Sequence, residues 1–194
     1  MKQDKKILNI IDYNVGIAIQ NLNKLNSNYY KNKITKVTNL CIKALKEKKK
    51  IIFCGNGGSA ADSQHLSAEL VSKFLKNRKP LSSISLTTNT STITSVSNDF
   101  DYKYIFSKQI EALGVNGDVL IAISTSGKSK NIIEALKASK KKGINNILMT
   151  GDKIINKKLC NIVLDVPAKR VDRIQELHIL IGHIICENIE KQIT

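Results

Sequence analysis

The chain has 194 residues, 42% of them hydrophobic and 24% charged, which is the size and make-up of one globular domain with a sizeable core. Its formal charge of +15 is almost wholly lysine, because only Arg78, Arg170 and Arg173 among the 31 basic residues are arginine. The lysines cluster at 48–50, 140–142 and 157–158, at expected helix ends and loops, without interleaved aromatic residues or a nucleic-acid-binding signature. That pattern favours a solvated surface that attracts acidic metabolites over a nucleic-acid-binding patch, so no nucleic-acid partner is expected.

The chain starts basic and then apolar, but Asp12 breaks the run too early for a signal peptide. No stretch is long and apolar enough to cross a bilayer, so no membrane is expected. Cys41, Cys54, Cys160 and Cys186 form no C-x-x-C pair and sit among apolar neighbours, which predicts free thiols in a reducing cytoplasm. Residues 5–27 place Leu8, Ile11, Val15, Ile19 and Leu22 at helical spacing, and Ile34, Val37, Leu40, Cys41 and Leu45 do the same in a second segment. Residues 1–49 are thus two helices ahead of the first strand, and one edge of a sheet domain would not cover both. Part of their surface is expected to meet another subunit.

Strand and helix alternate over residues 50–194. Strands are expected at 51–54, 83–86, 118–124, 146–150 and 161–166, and helices at 60–75, 104–113, 131–142 and 171–192, with Gly151-Asp152 starting the connection after the fourth strand. Residues 87–99 are rich in Ser, Thr and Asn, a polar stretch closed by Asn98-Asp99 that reads as functional rather than disordered. The whole reads as a single α/β domain, a doubly wound five-stranded parallel sheet with two N-terminal helices, whose ligands sit at the carboxyl ends of the strands.

Two turns carry the chemistry. After the apolar run Ile51–Cys54, the glycines Gly55, Gly57 and Gly58 allow bare backbone to approach a ligand, and Ser59 is placed to cap the following helix. A strand, a Gly-rich turn and a helix N-terminus together make an anion site. The spacing to Ala60 satisfies a loose dinucleotide fingerprint, but no carboxylate stands at the end of the next strand to hold a ribose. Ser124-Thr-Ser-Gly-Lys-Ser129 is a second such turn; Ala122 occupies the position of the first Walker glycine, so a phosphate monoester fits better than a triphosphate. His65 and Glu69 share one face of the helix after the first turn. On the last helix Gln175 and His183 fall about 80° apart, and periodicity alone does not separate His183 from His178.

The combination of Cys-Gly-Asn-Gly-Gly-Ser, His65 with Glu69, Asn98-Asp99-Phe100, Ser-Thr-Ser-Gly-x-Ser and Asp172-Arg-Ile-Gln-Glu-x-His-x4-His resembles the phosphoheptose isomerases. These are the sedoheptulose 7-phosphate isomerase branch of the sugar isomerase (SIS) fold, a flavodoxin-like three-layer sandwich, and the resemblance spans nearly the whole chain. It implies that Asn56, Gly57, Gly58 and Ser59, with Ser124, Thr125, Ser126 and Ser129, hold a sugar phosphate. Asn98, Asp99 and Asp172 would bind substrate hydroxyls, with Glu69 and Gln175 also facing the substrate. Glu69 and His183 would be the acid–base pair, and His65, Glu69, Gln175 and His183 would ligate zinc.

The same resemblance implies a cytoplasmic homotetramer built on the N-terminal helices, with active sites at subunit contacts. Its reaction would open ADP- or GDP-heptose biosynthesis for lipopolysaccharide or capsule. The competing reading is a non-catalytic relative, either a phosphosugar-binding regulator or a replication-initiator-binding tetramer; those relatives lack part of the Glu/Gln/His set that this chain keeps. A terminal helix that follows the last strand need not reach back over the first strand of its own chain, and the resemblance places such sites at subunit contacts. The metal is therefore expected to be shared between subunits.

Overall fold

The computed structural model describes residues 2–151 and 157–193, so Asp152 lies outside the described residues. The chain runs α1 (Lys2–Leu25), α2 (Asn28–Lys46), β1 (Ile51–Gly55), α3 (Gly58–Val71), β2 (Ser83–Ser85), α4 (Thr90–Asp99), a 3-10 turn at Tyr102–Tyr104 and α5 (Ser107–Leu113). It continues through β3 (Val119–Ile123), α6 (Lys130–Lys141), β4 (Asn145–Thr150), a second 3-10 turn at Lys157–Leu159, β5 (Ile162–Asp165) and α7 (Val171–Ile193).

The strands form one parallel sheet in the order β2-β1-β3-β4-β5, which is the doubly wound α/β architecture expected. β1 and β3 are buried along their whole length, as strands covered on both faces must be, and this is why they read as unbroken apolar runs. Their side chains alternate between two layers. Ile51, Phe53, Ile121 and Met149 pack with α2, α3 and α7, whereas Ile52, Cys54, Leu120 and Leu148 pack with α4, α5 and α6.

The two N-terminal helices have different jobs. α2 covers the sheet with Val37, Cys41, Ile42 and Ala44, and its Lys33 pairs with Asp165 at the end of β5. α1 instead leaves Ile7, Leu8, Ile11, Val15 and Ile19 exposed. All four cysteines are free. Cys41 and Cys186 lie in the first layer and Cys54 in the second, while Cys160 is half-buried at the edge of the second. Burial pushes the Cys160 thiol up to about 11 and the Cys186 thiol up to about 12, and raises Cys41 and Cys54 further.

Three elements differ from their sequence reading. Residues 90–99 form a helix, capped by Asn89, whose side chain accepts the Thr92 N–H at 3.0 Å. Its hydroxyls are absorbed by the helix itself: Thr94 donates to the Thr90 carbonyl and Ser97 to the Ile93 carbonyl, both at 2.7 Å. The helix expected over 104–113 divides into the 3-10 turn and the short α5. At the start of α3 the cap is Gly57 rather than Ser59, which lies buried inside the helix with its carbonyl accepting the Ser63 hydroxyl at 2.7 Å.

The larger finding concerns α7. From β5 at one edge of the sheet it returns across the layer to pack on α3 of the same chain. The sizes explain it: 23 helical residues span about 34 Å, against about 19 Å across five strands. Gly182 lets the helices close, since a Cβ there would stand 2.5 Å from Leu66 Cδ1. α7 thus does reach back to the first-strand side of its own chain, which its place after the last strand did not require.

Candidate functional site

β1 and β3 are neighbours although β2 separates them in sequence, so the loops that follow them leave the sheet where strand order reverses. Crevices of open α/β sheets take ligands at that place. In the first loop Asn56 is followed by Gly57, with φ of 55°, and Gly58, both exposed at the N-terminus of α3. A left-handed φ and a helix start are what the anion-site reading requires. α7 passes over this loop: a Cβ at Gly58 would stand 2.5 Å from the Gln175 amide nitrogen, so a side chain there would push the Gln175 amide aside.

The second loop is an ordered hydroxyl cluster. Ser124 Oγ lies 3.4 Å from Ser129 Oγ and accepts the Gly127 N–H at 3.1 Å. Ser126 Oγ accepts the Lys128 N–H at 3.2 Å, and the Thr125 carbonyl accepts the Gly151 N–H at 3.0 Å.

Two residues not singled out in the sequence tie the loops together. Asn56 and Asn131 exchange amide hydrogen bonds at 3.0 and 2.8 Å, and the Tyr102 hydroxyl donates to Asn56 Oδ1 at 3.0 Å. Asn131 is buried at the start of α6, a position where an asparagine reads from sequence as an ordinary helix-start residue. Its partner across the crevice is visible only in three dimensions.

Two turns further along α3, the predicted pair meets α7. His65 Nε2 lies 3.3 Å from Glu69 Oε1 and 2.8 Å from His183 Nε2. The three donor atoms stand within 4.8 Å of one another, all on one chain. Two ring nitrogens at that distance either share one proton or face a common cation, and two imidazoles with a carboxylate are a donor set that divalent zinc accepts. The arrangement therefore fits a metal ion. Phe74, from the segment after α3, stacks on His183 with ring centroids 5.5 Å apart and planes inclined at 27°.

The histidines of α7 are now distinguished. His178 is fully buried, its Nε2 3.2 Å from the Thr150 carbonyl, and burial pushes its pKa down to about 4. It is a core residue. The remaining predicted residues lie at the margins. Asn98 donates to Asp99 at 2.8 Å at the exposed end of α4. Asp172 is held by Arg170 at 2.6 and 3.2 Å, and that hydrogen bond keeps its carboxyl below the usual range. Asp62, one turn before His65, was not singled out; its Oδ2 is buried, and burial raises its pKa while His65 opposes the rise.

Comparison with known proteins places the whole chain in a family. Residues 18–151 match the SIS domain family. The chain is 48% identical over 187 residues to the phosphoheptose isomerase of Clostridium acetobutylicum, covering 95% of each. Its fold matches that of phosphoheptose isomerase GmhA from Neisseria gonorrhoeae with a TM-score of 0.87 and 36% identity, over 95% of this chain and 99% of that one. A phosphoheptose isomerase from Francisella tularensis matches with a TM-score of 0.87 and 32% identity, over 99% of this chain and all of the other. The chain belongs to the SIS domain family, in its phosphoheptose isomerase branch.

Proposed function

We propose that this protein isomerises D-sedoheptulose 7-phosphate to D-glycero-D-manno-heptose 7-phosphate, the step that opens ADP- or GDP-heptose biosynthesis. The observation that carries the reading is the convergence of Glu69 and two histidines at a set distance from an anion site. From Gly58 to His65 is seven residues of helix, about 10 Å, which is of the order of an extended sugar phosphate. The phosphate anchors at one end; the carbonyl carbons lie at the other.

Asn56–Ser59 and Ser124, Thr125, Ser126 and Ser129 hold the phosphate through backbone N–H groups and hydroxyls. Asn98, Asp99 and Asp172 take substrate hydroxyls. Moving a proton between C1 and C2 passes through an enediol, so the reaction needs a base and an acid. Glu69 takes the proton and His183 returns or shuttles one. A carboxylate has two oxygens, so one edge of Glu69 can face a cation while the other faces the substrate. His65, Glu69 and His183 would hold zinc, and Gln175, whose amide lies over Gly58 two turns before His183 on α7, would join them only by swinging away from the phosphate loop. A zinc ion bound there supplies a Lewis acid that polarises the substrate carbonyl.

The exposed apolar side of α1 supports assembly as a homotetramer, with neighbouring chains completing the substrate pocket. The four free thiols support a reducing cytoplasm, and no helix among the described residues is long and apolar enough to cross a membrane. A regulator without activity is the less favoured reading, because the full Glu/Gln/His set is present. A coupled assay of sedoheptulose 7-phosphate turnover by the purified protein tests the proposal; no turnover with metal supplied would refute it.

A further inference from the structure

Behind the His–Glu cluster lies a buried ion pair that the chemistry does not use. Arg78 and Glu190 have side chains only 2% and 1% exposed, with Arg78 Nε 2.9 Å from Glu190 Oε1. Each partner also binds backbone from the segment that follows α3. Glu190 Oε1 accepts the Phe74 N–H at 3.1 Å, and its Oε2 accepts the N–H groups of Leu75 and Lys76 at 2.8 and 3.0 Å. Arg78 donates through Nη2 to the Glu69 carbonyl at 2.7 Å, and through Nη1 to the carbonyls of Leu70 and Ser72 at 2.8 and 3.1 Å. The guanidinium thus closes the last turn of α3, whose carbonyls have no helical partner of their own.

Two contacts carry this frame to the site. Arg78 grips the backbone of Glu69 itself, so it fixes the turn from which that carboxylate projects. Glu190 stands seven residues after His183, two turns along the same face of α7, and the loop it holds presents the Phe74 ring to His183. Burial alone would raise the Glu190 carboxyl, but the N–H groups of Leu75, Phe74 and Lys76, and then Arg78, outweigh it and hold it below its usual range. A desolvated ion pair adds little stability over a well-packed apolar pair, so its value lies in where it holds the backbone.

We propose that Arg78 and Glu190 are positioning residues for the isomerisation: one grips the backbone of the base and the other seats Phe74 against the acid, together setting how Glu69 and His183 face each other. This rests on the proposed reaction. Small displacements of reacting groups are costly, so loosening the frame slows the chemical step rather than substrate capture.

The test uses Glu190→Gln, Arg78→Lys and Phe74→Leu in the full-length enzyme, with kcat and KM measured per folded chain. Histidine ring resonances are followed by NMR, which the three histidines of the chain make readable. Glu190→Gln and Arg78→Lys should lower kcat by about 10- to 100-fold while KM changes by less than about threefold. The His183 ring signals should move as Phe74 leaves, while those of His178, buried against Thr150, stay fixed and report an intact core. Phe74→Leu, which leaves the ion pair in place, should lower kcat about fivefold, and it decides the matter if the other two variants do not fold. Unchanged kcat per folded chain in the folded variants, or His183 signals that stay where they are in Glu190→Gln, would overturn the proposal. If the parent enzyme turns over no heptulose phosphate, the proposed reaction fails, while the His183 shift still reports on the frame.

Discussion

The two ends of the site are built from different materials. At the end proposed to take the phosphate the residues come from loops at strand ends, where Asn56–Ser59 and Ser124–Ser129 are organised by backbone turns and by the Asn56–Asn131 amide exchange. At the other end His65, Glu69 and His183 project from the middle of two long helices pressed together over Gly182. Loops suit an anion that several N–H groups and hydroxyls can share. Helices suit proton transfer, where distance matters most. The difference predicts that damage to the loops is read in substrate binding and damage to the helices in turnover.

The sharpest break should come at Glu69. Glu69→Gln keeps the shape of the side chain but removes the proton acceptor, so kcat should fall by about 10²- to 10⁴-fold with substrate binding and circular dichroism retained. Activity near the parent's would place the base elsewhere. Because the three donors belong to one chain, reassembling Glu69→Ala with His183→Ala subunits should restore no activity once exchange between tagged subunits has been demonstrated. Recovered turnover would mean that the pair is drawn from two chains.

A smaller effect is expected at the loop end. Ser124→Ala removes one hydroxyl from the cradle and should raise KM about tenfold while kcat stays within about threefold, as loss of uniform binding does. A fall in kcat at constant KM would erase the division of labour between the two ends.

The smallest effect contrasts the two histidines of α7. Burial holds His178 down to about 4, whereas an unfolded chain leaves it near 6.5, so between those values the unfolded state takes up the extra proton. Stability is untouched above about pH 6.5 and declines as the pH drops towards 4, by about 1 kcal/mol between pH 7 and 5.5. Urea unfolding of the parent and of His178→Leu should show this slope in the parent and its loss in the variant. The Thr150 carbonyl keeps the Val166 N–H as a partner in that variant, so the substitution strands no acceptor. An equal slope in both proteins would assign the proton to another group.

Much of this was legible in the chain. Buried parallel strands such as Ile51–Gly55 announce themselves as short apolar runs, and the glycines after them mark the anion loop, because both signals are local. The pairing of His65 with Glu69 was also readable, since spacing on a helix fixes which side chains share a face, whereas only the resemblance to the phosphoheptose isomerases separated His183 from His178. What remained hidden depends on partners far apart in sequence. Ser and Thr hydroxyls that fold back on their own helix made α4 look like a loop; Asn131 revealed nothing until Asn56 stood opposite. The path of α7 stayed open because order along the chain says where a helix starts, not how far it travels.

The cysteines offer a last consequence. Cys41 and Cys186 lie in the layer that carries α3 and α7, Cys54 in the opposite one, and Cys160 half-exposed beside it. A thiol reacts with an alkylating reagent only when it is accessible and ionised, and burial denies both to the inner three. Cys160 should therefore label first, and every later label counts an opening of one layer or the other. The chain carries a separate chemical clock on each side of its sheet, with which the breathing of the catalytic layer can be timed apart from that of the layer behind it.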